Sequence, residues 1–245
     1  MESSLYAVIL AGGRGERFWP LSRRARPKQL LDLVGGKPFL AQAVERIEPL
    51  IPRDRILVLT NADLAAACRA AAPGLPAENV IGEPVGRDTA PAVALSALLV
   101  QERDPDAVFC ILTADHVMGD LDVFRGVLRE AADLAAERDL LVTIGIEPTE
   151  PSTSFGYIEA GESIRERGGV EFLNASRFVE KPDAETAARY LESGRFYWNA
   201  GMFIWSVRSL RAAFRRHAPD LDDLIESLEG AAASPDFMAR VRAAY

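Results

Sequence analysis

The sequence predicts an α/β fold: a Rossmann-like mixed, mainly parallel sheet flanked by helices, carrying a β-rich insertion. Three observations lead there. Apolar, β-rich runs alternate with helical patterns through the first 150 residues. The first run breaks at once into glycines. After Pro151 the rhythm changes to longer, more polar strands. Strands alternating with helices imply right-handed βαβ units and a parallel sheet.

In chain order, YAVIL, RILVLT, AVFCILT and LLVTIGI lack polar alternation and read as strands buried on both faces. Helical candidates lie between them at Lys37 to Glu48, Ala62 to Ala72, Thr89 to Glu102 and Leu121 to Glu137. In the third, Ala90, Val93, Ala94, Ala97 and Leu98 recur at helical spacing. FGYIEAGES, VEFLNASRFVEKP and WNAGMFIW read as partly exposed strands. Helix resumes at Ala184 to Glu192 and again from Ser209. No linker separates the halves, so the β-rich stretch reads as an insertion in one domain.

The chain has 245 residues, 49% hydrophobic and 26% charged, with a formal net charge of −8. That balance argues against general nucleic-acid binding, which needs a basic face. Cys68 and Cys110 are too few and too far apart for a disulfide framework or a zinc pattern. The amino-terminal apolar run is short, ends in glycines and lacks a basic preceding segment, so it reads as a strand rather than a signal peptide. No run approaches the ~18 residues that span a bilayer. These features predict a cytoplasmic protein with neither membrane nor nucleic acid as partner.

Against that acidic background, Arg14, Arg17, Arg23, Arg24, Arg26 and Lys28 crowd behind the turn formed by Gly12, Gly13 and Gly15. Glycine lets backbone amides approach an anion closely, and the carboxyl end of a parallel strand is where open α/β sheets bind ligands. Arg17 and Lys28 can supply charge where phosphates sit. Two familiar phosphate loops fail. From Gly13, the last position of G-x-G-x-x-G is Phe18, and Gly36-Lys37 is followed by Pro38 rather than Ser or Thr.

The stretch LAGGRGERFWPLSRRARPKQ resembles the signature loop of the sugar-1-phosphate nucleotidylyltransferases, and FWPLSR resembles their mannose-1-phosphate guanylyltransferase branch. The resemblance implies a fold of the nucleotide-diphospho-sugar transferase type and transfer of GMP from GTP to α-D-mannose 1-phosphate, yielding GDP-mannose and pyrophosphate. It gives Arg17 and Lys28 catalytic, phosphate-binding roles, and lays the nucleotide on Leu10, Ala11, Gly12, Gly13 and Gly15.

Further segments follow in the family's order. EPVGRDTAPAVAL resembles the base-recognition loop, with Glu83, Pro84, Gly86, Arg87, Asp88 and Thr89 as nucleotide-binding positions. Helix capping accounts for Asp88 and Thr89 but not for the others. Glu83 and Asp88 both remain open as the acceptor of a guanine N–H. ILTADHVM ends a buried strand at Asp115, which matches the family's metal-binding aspartate; the resemblance implies Mg²⁺. FGYIEAG, VEKP and WNAGMFIW resemble the sugar-binding segments of the insertion, with Gly156, Tyr157, Glu180, Lys181 and Asn199 as sugar-phosphate contacts. Ser154 and Phe155 stand where the family's usual Gly-Tyr precedes Gly-Tyr.

A second metal-binding aspartate, in a Ser-Ile-Asp-Tyr-type segment of the family, would fall beyond Tyr245. The resemblance therefore implies a nucleotidyltransferase catalytic domain over 1–245 that is truncated at its carboxy terminus, with a homodimer left open. Two rivals stand beside this reading: a nucleotidylyltransferase for glucose 1-phosphate with dTTP or UTP, and a non-catalytic sugar-nucleotide sensor subunit.

Overall fold

The computed structural model describes residues 4–13, 15, 18–24, 26–86 and 89–245. The chain divides into two compact units, residues 1–141 with 204–245 and residues 142–203.

In the larger unit, β1 (Leu5–Leu10), β2 (Ile56–Asn61), β3 (Val80–Glu83) and β4 (Val108–Thr113) form a parallel array in the order β3-β2-β1-β4. β1, β2 and β4 are apolar runs enclosed on both faces, as expected for strands covered by helices on each side. β3 is a four-residue strand that the apolar pattern did not announce.

Register decides what the array can do. Leu10 pairs with Leu59 on one side and Thr113 on the other, and Asn61 pairs with Glu83. The glycine turn after β1, Asn61, Glu83 and the segment after Thr113 therefore all emerge at one carboxyl edge. That edge is the ligand-binding rim of open parallel sheets.

The helices of this unit are α1 (Phe39–Ile47), α2 (Ala65–Ala71), α3 (Thr89–Gln101), α4 (Leu121–Glu137), α6 (Val207–His217), α7 (Pro219–Leu228) and α8 (Phe237–Ala244). α3 departs from the one-sided stripe expected of it. Ala90 is exposed, and every residue from Ala92 to Val100 is buried, because α6 and α7 cover the face that would otherwise meet water. α4 begins where expected, capped by Asp120, whose carboxylate accepts from the amides of Asp122 and Val123. A buried ion network joins the outer helices. Arg211 of α6 donates to Asp222 of α7, to Gln101 and Glu229 at 2.7 Å each, and Arg215 reaches the other Asp222 oxygen at 2.9 Å.

The smaller unit holds β5 (Val142–Ile146), β6 (Tyr157–Arg167), β7 (Val170–Val179), α5 (Ala184–Ser193) and most of β8 (Phe196–Ser206). β6 and β7 form a hairpin closed by Gly168-Gly169. Both glycines have positive φ, which a two-residue hairpin turn of this hand requires. α5 is capped by Asp183 and ends in left-handed Gly194. Tyr157, Ala187 and Phe196 make the core, with Tyr190 stacked on Phe196 at 3.7 Å. β5 corrects one expectation: it is half-buried to exposed rather than covered on both faces, because it pairs with β8 off the main strand path.

Candidate functional site

The glycine turn after β1 is built around Lys28. A Cβ on Gly13 would lie 3.2 Å from Lys28 Cε, and one on Gly15 would lie 2.9 Å from both the backbone nitrogen and Cβ of Lys28. Gly15 also has φ +68°. At Gly15 only glycine lets the turn lie this close, so Gly15 serves packing as well as anion approach. Below the turn, the Ala11 carbonyl accepts from the Gln29 side-chain amide and from Thr60 Oγ1 at 2.9 Å. Ser22 Oγ donates to the Gly15 carbonyl at 2.6 Å.

From this cradle Lys28 Nζ reaches Asp115 Oδ2 at 2.5 Å, across 87 residues of sequence. Both side chains are about one-fifth exposed, so the pair faces solvent while standing on a dry floor. Burial pushes the Asp115 carboxyl up, but the hydrogen bond and charge of Lys28 outweigh it and hold the group below the usual carboxylate range. The neighbouring His116 is held below the ordinary imidazole value, first by burial.

Glu83, at the end of β3, is 6% exposed. Burial raises its carboxyl above the ordinary value, partly offset by the Tyr245 hydroxyl, which donates to Oε1 at 2.7 Å. A buried, pKa-raised carboxylate at a ligand rim is a candidate for recognition. Asn61 stands between two of the loops. Its amide nitrogen donates to the Gly12 carbonyl at 3.0 Å, and its Oδ1 lies 3.0 Å from where a Cβ on Gly86 would be. Beside it, a concavity of about 680 Å³ is lined by Trp19, Ser22, Arg23, Arg24, Pro27, Asn61, Asp63 and Leu64.

The larger unit thus brings together Leu10, Ala11, Gly12, Gly13, Gly15, Lys28, Glu83, Pro84, Gly86, Thr89 and Asp115 on or beside one sheet edge. Arg17, Arg87 and Asp88 lie outside the described residues. Sequence reasoning missed Gln29, Thr60, Asn61, Tyr245 and the buried Arg46. A polar residue directly closing an apolar strand, as Asn61 closes ILVLT, was the available signal for one of them.

In the smaller unit, Gly156, Glu180 and Asn199 converge. A Cβ on Gly156 would lie 2.8 Å from Glu180 Oε2 and 3.6 Å from the Asn199 Cβ, and the Asn199 amide donates to the Gly156 carbonyl at 2.8 Å. Asn199 Oδ1 accepts from Gly201 N at 3.0 Å. Lys181, at φ +42°, turns its ammonium onto Glu180 Oε1 at 2.6 Å, an exposed pair. Tyr157 corrects the expectation of a sugar contact. It is fully enclosed, packed on Tyr190, and its hydroxyl donates to the Ser152 carbonyl at 2.9 Å, so it supports the site from beneath.

Comparison with known proteins gives these arrangements a family. The chain belongs to the nucleotidyl transferase family, whose model matches residues 6–240. The mannose-1-phosphate guanylyltransferase of Escherichia coli K12 is 40% identical over 229 residues, 92% of this chain and 48% of its own length. That of Salmonella muenchen is 38% identical over 231 residues, 93% of this chain and 48% of its own. The chain spans about half the length of the curated relatives it matches. A crystal structure from Thermus thermophilus, described as a mannose-1-phosphate geranyltransferase, superposes with a TM-score of 0.85 at 36% identity, covering 98% of this chain and 68% of that one. The fold class expected from the sequence is the one found. Among the described residues, no helix is long and apolar enough to cross a membrane.

Proposed function

We propose that this chain transfers GMP from GTP to α-D-mannose 1-phosphate, producing GDP-mannose and pyrophosphate. One observation carries the reading: Lys28 and Asp115 meet at 2.5 Å on the carboxyl edge of the parallel array, over a glycine turn shaped to the lysine. Identities of 38–40% to the two guanylyltransferases named above, over more than nine-tenths of this chain, support the choice of base and sugar.

On this reading the backbone of Leu10 to Gly15 and the Lys28 ammonium receive the triphosphate. In-line transfer needs positioning and charge neutralisation more than acid–base residues, because the attacking sugar phosphate is already ionised. Lys28 and Arg17 stabilise charge growing toward the departing pyrophosphate. Glu83, kept dry, accepts an N–H of the base. Gly156, Glu180, Lys181 and Asn199 hold the sugar phosphate.

Among the described residues no three Asp, Glu, His or Cys side chains converge on one point. A single strand-end carboxylate suits Mg²⁺ delivered with a nucleotide, which binds through one or two carboxylates plus substrate phosphates. Asp115 would hold the ion, which would neutralise charge on the nucleotide phosphates. We read residues 1–245 as one catalytic domain working in the cytoplasm, where the free, buried Cys68 and Cys110 stay reduced.

The test is pyrophosphate release with Mg²⁺, pairing GTP, ATP, UTP or dTTP with mannose 1-phosphate or glucose 1-phosphate. Release confined to GTP with mannose 1-phosphate is expected, and Lys28→Met should lower it by about 10²–10³. Release with another pair would overturn the substrates. Tight nucleotide-sugar binding without turnover would favour a sensor.

A further inference from the structure

We propose that Arg46 is a positioning residue, one guanidinium that fixes the strap between β4 and α4 so that Asp115 presents its carboxylate to a nucleotide-borne cation. The inference rests on the reading of Asp115 given above.

Arg46 lies on the core side of α1, among Phe39, Leu40, Ala43, Val44 and Ile47, and is 5% exposed. A buried cation is costly unless it is well partnered. Yet among the described residues it forms no ion pair within 4 Å. Its partners are backbone. Nη1 donates to the His116 carbonyl at 2.5 Å and Nη2 to the Thr113 carbonyl at 2.9 Å, while its Cζ lies 5.8 Å from the Phe124 ring centroid.

These two carbonyls bracket Asp115, the first on the last residue of β4 and the second in the segment beyond it, which has no helix or strand to hold it. A planar fork gripping residues 113 and 116 leaves the backbone at 115 little freedom. Lysine, one nitrogen on a flexible stem, lacks the two separated, rigidly held donors of the fork. Burial lowers the guanidinium to about 10, with Asp115 pushing it back up, so it stays cationic at neutral pH. Arg46 is itself braced: Arg125 donates to the Arg46 carbonyl at 2.9 Å and to Asp122 at 2.6 Å, tying α1 to the first turn of α4. The guanidinium itself bonds nothing on α1, where an apolar residue would pack at lower cost. It serves the segment that carries Asp115.

The experiment measures two quantities in the wild-type chain, Arg46→Met, Arg46→Lys, Asp115→Asn and the Arg46→Met/Asp115→Asn double variant. The first is the Mg²⁺ concentration giving half-maximal GTP binding, by calorimetry; the second is turnover. Loss of a group that orients a metal ligand costs about 10–100-fold in metal affinity. Arg46→Met should raise the Mg²⁺ half-point by that factor and leave metal-free GTP binding unchanged. Arg46→Lys, which keeps the buried cation should the Met variant not fold, should fall between. In Asp115→Asn, adding Arg46→Met should change the Mg²⁺ dependence no further. An unmoved half-point in the Arg46 variants, or losses that add in the double variant, would overturn the inference while Asp115→Asn still reports the metal site. A wild-type chain whose GTP binding ignores Mg²⁺ would overturn the reading of Asp115 and this inference with it.

Discussion

Gly13 and Gly15 stand two positions apart in one turn, and the structure assigns them very different tolerances for a single methyl group. At Gly13 the added carbon would meet Lys28 Cε at 3.2 Å, near the end of a flexible chain that can shift by a few tenths of an ångström. Its φ is also unexceptional, so Gly13→Ala should be near neutral in stability, helped by the smaller entropy of the unfolded chain. At Gly15 the carbon would lie 2.9 Å from Lys28 N and Cβ, which cannot yield without moving the backbone. The φ of +68° adds about 1–2 kcal/mol for any side chain there. For a chain of this size that strain alone lowers Tm by about 2–8 °C. The shift of Lys28 also breaks its 2.5 Å contact with Asp115, so Gly15→Ala should lose GTP affinity as well. Thermal unfolding and nucleotide titration of the two variants, side by side, make the test. Equal effects at both positions, or a Gly15→Ala protein with native Tm and affinity, would refute the claim that this turn is moulded on Lys28.

Other outcomes follow from the same geometry. Arg211→Met leaves the buried Asp222 carboxylate to Arg215 alone and should cost about 1.5–3 kcal/mol, read as a fall in Tm of about 3–12 °C; Arg211→Met/Asp222→Leu should recover most of it. Burial pushes Asp222 up, but Arg211 and Arg215 bring it below the ordinary value. Its stabilisation is therefore present above the unfolded carboxylate pKa and lost as pH falls through the folded one, so the Arg211→Met deficit should shrink in acid. Glu83 has the opposite sign: its folded pKa is raised, so ionisation opposes folding as pH rises. Glu83→Gln should unfold at higher temperature than wild type at pH 7, not at ~4, and should bind GTP less well. Gly156→Ala would displace Glu180, whose Oε2 lies 2.8 Å from the new carbon; the KM for mannose 1-phosphate should rise about tenfold, or ~1.4 kcal/mol, with GTP affinity kept.

What could be read from the sequence was set by how each residue earns its place. YAVIL, RILVLT and AVFCILT announced themselves because strands covered on both faces must be apolar throughout. VIGE did not, since four residues with a glycine among them carry no period. The glycine turn was legible as an anion cradle, whereas its moulding on Lys28 depends on a backbone approach that no spacing encodes. Lys28 and Asp115 were each singled out, but their contact spans 87 residues and belongs to the sheet register. Tyr157 matched a motif yet is fully enclosed, packed on Tyr190 with its hydroxyl on the Ser152 carbonyl, contacts that no local spacing encodes. Arg46 was hidden by its setting in a helix that otherwise reads as amphipathic.

Asn61 has a practical consequence for anyone who would retarget this chain to another nucleotide. Its single amide holds the Gly12 carbonyl at 3.0 Å and fills the space beside Gly86, so the turn after β1 and the turn after β3 lean on one side chain. On the function proposed above, selectivity for the base and grip on the phosphates would be coupled through it. A loop transplanted from a relative with different specificity should therefore carry the residue that closes β2 with it.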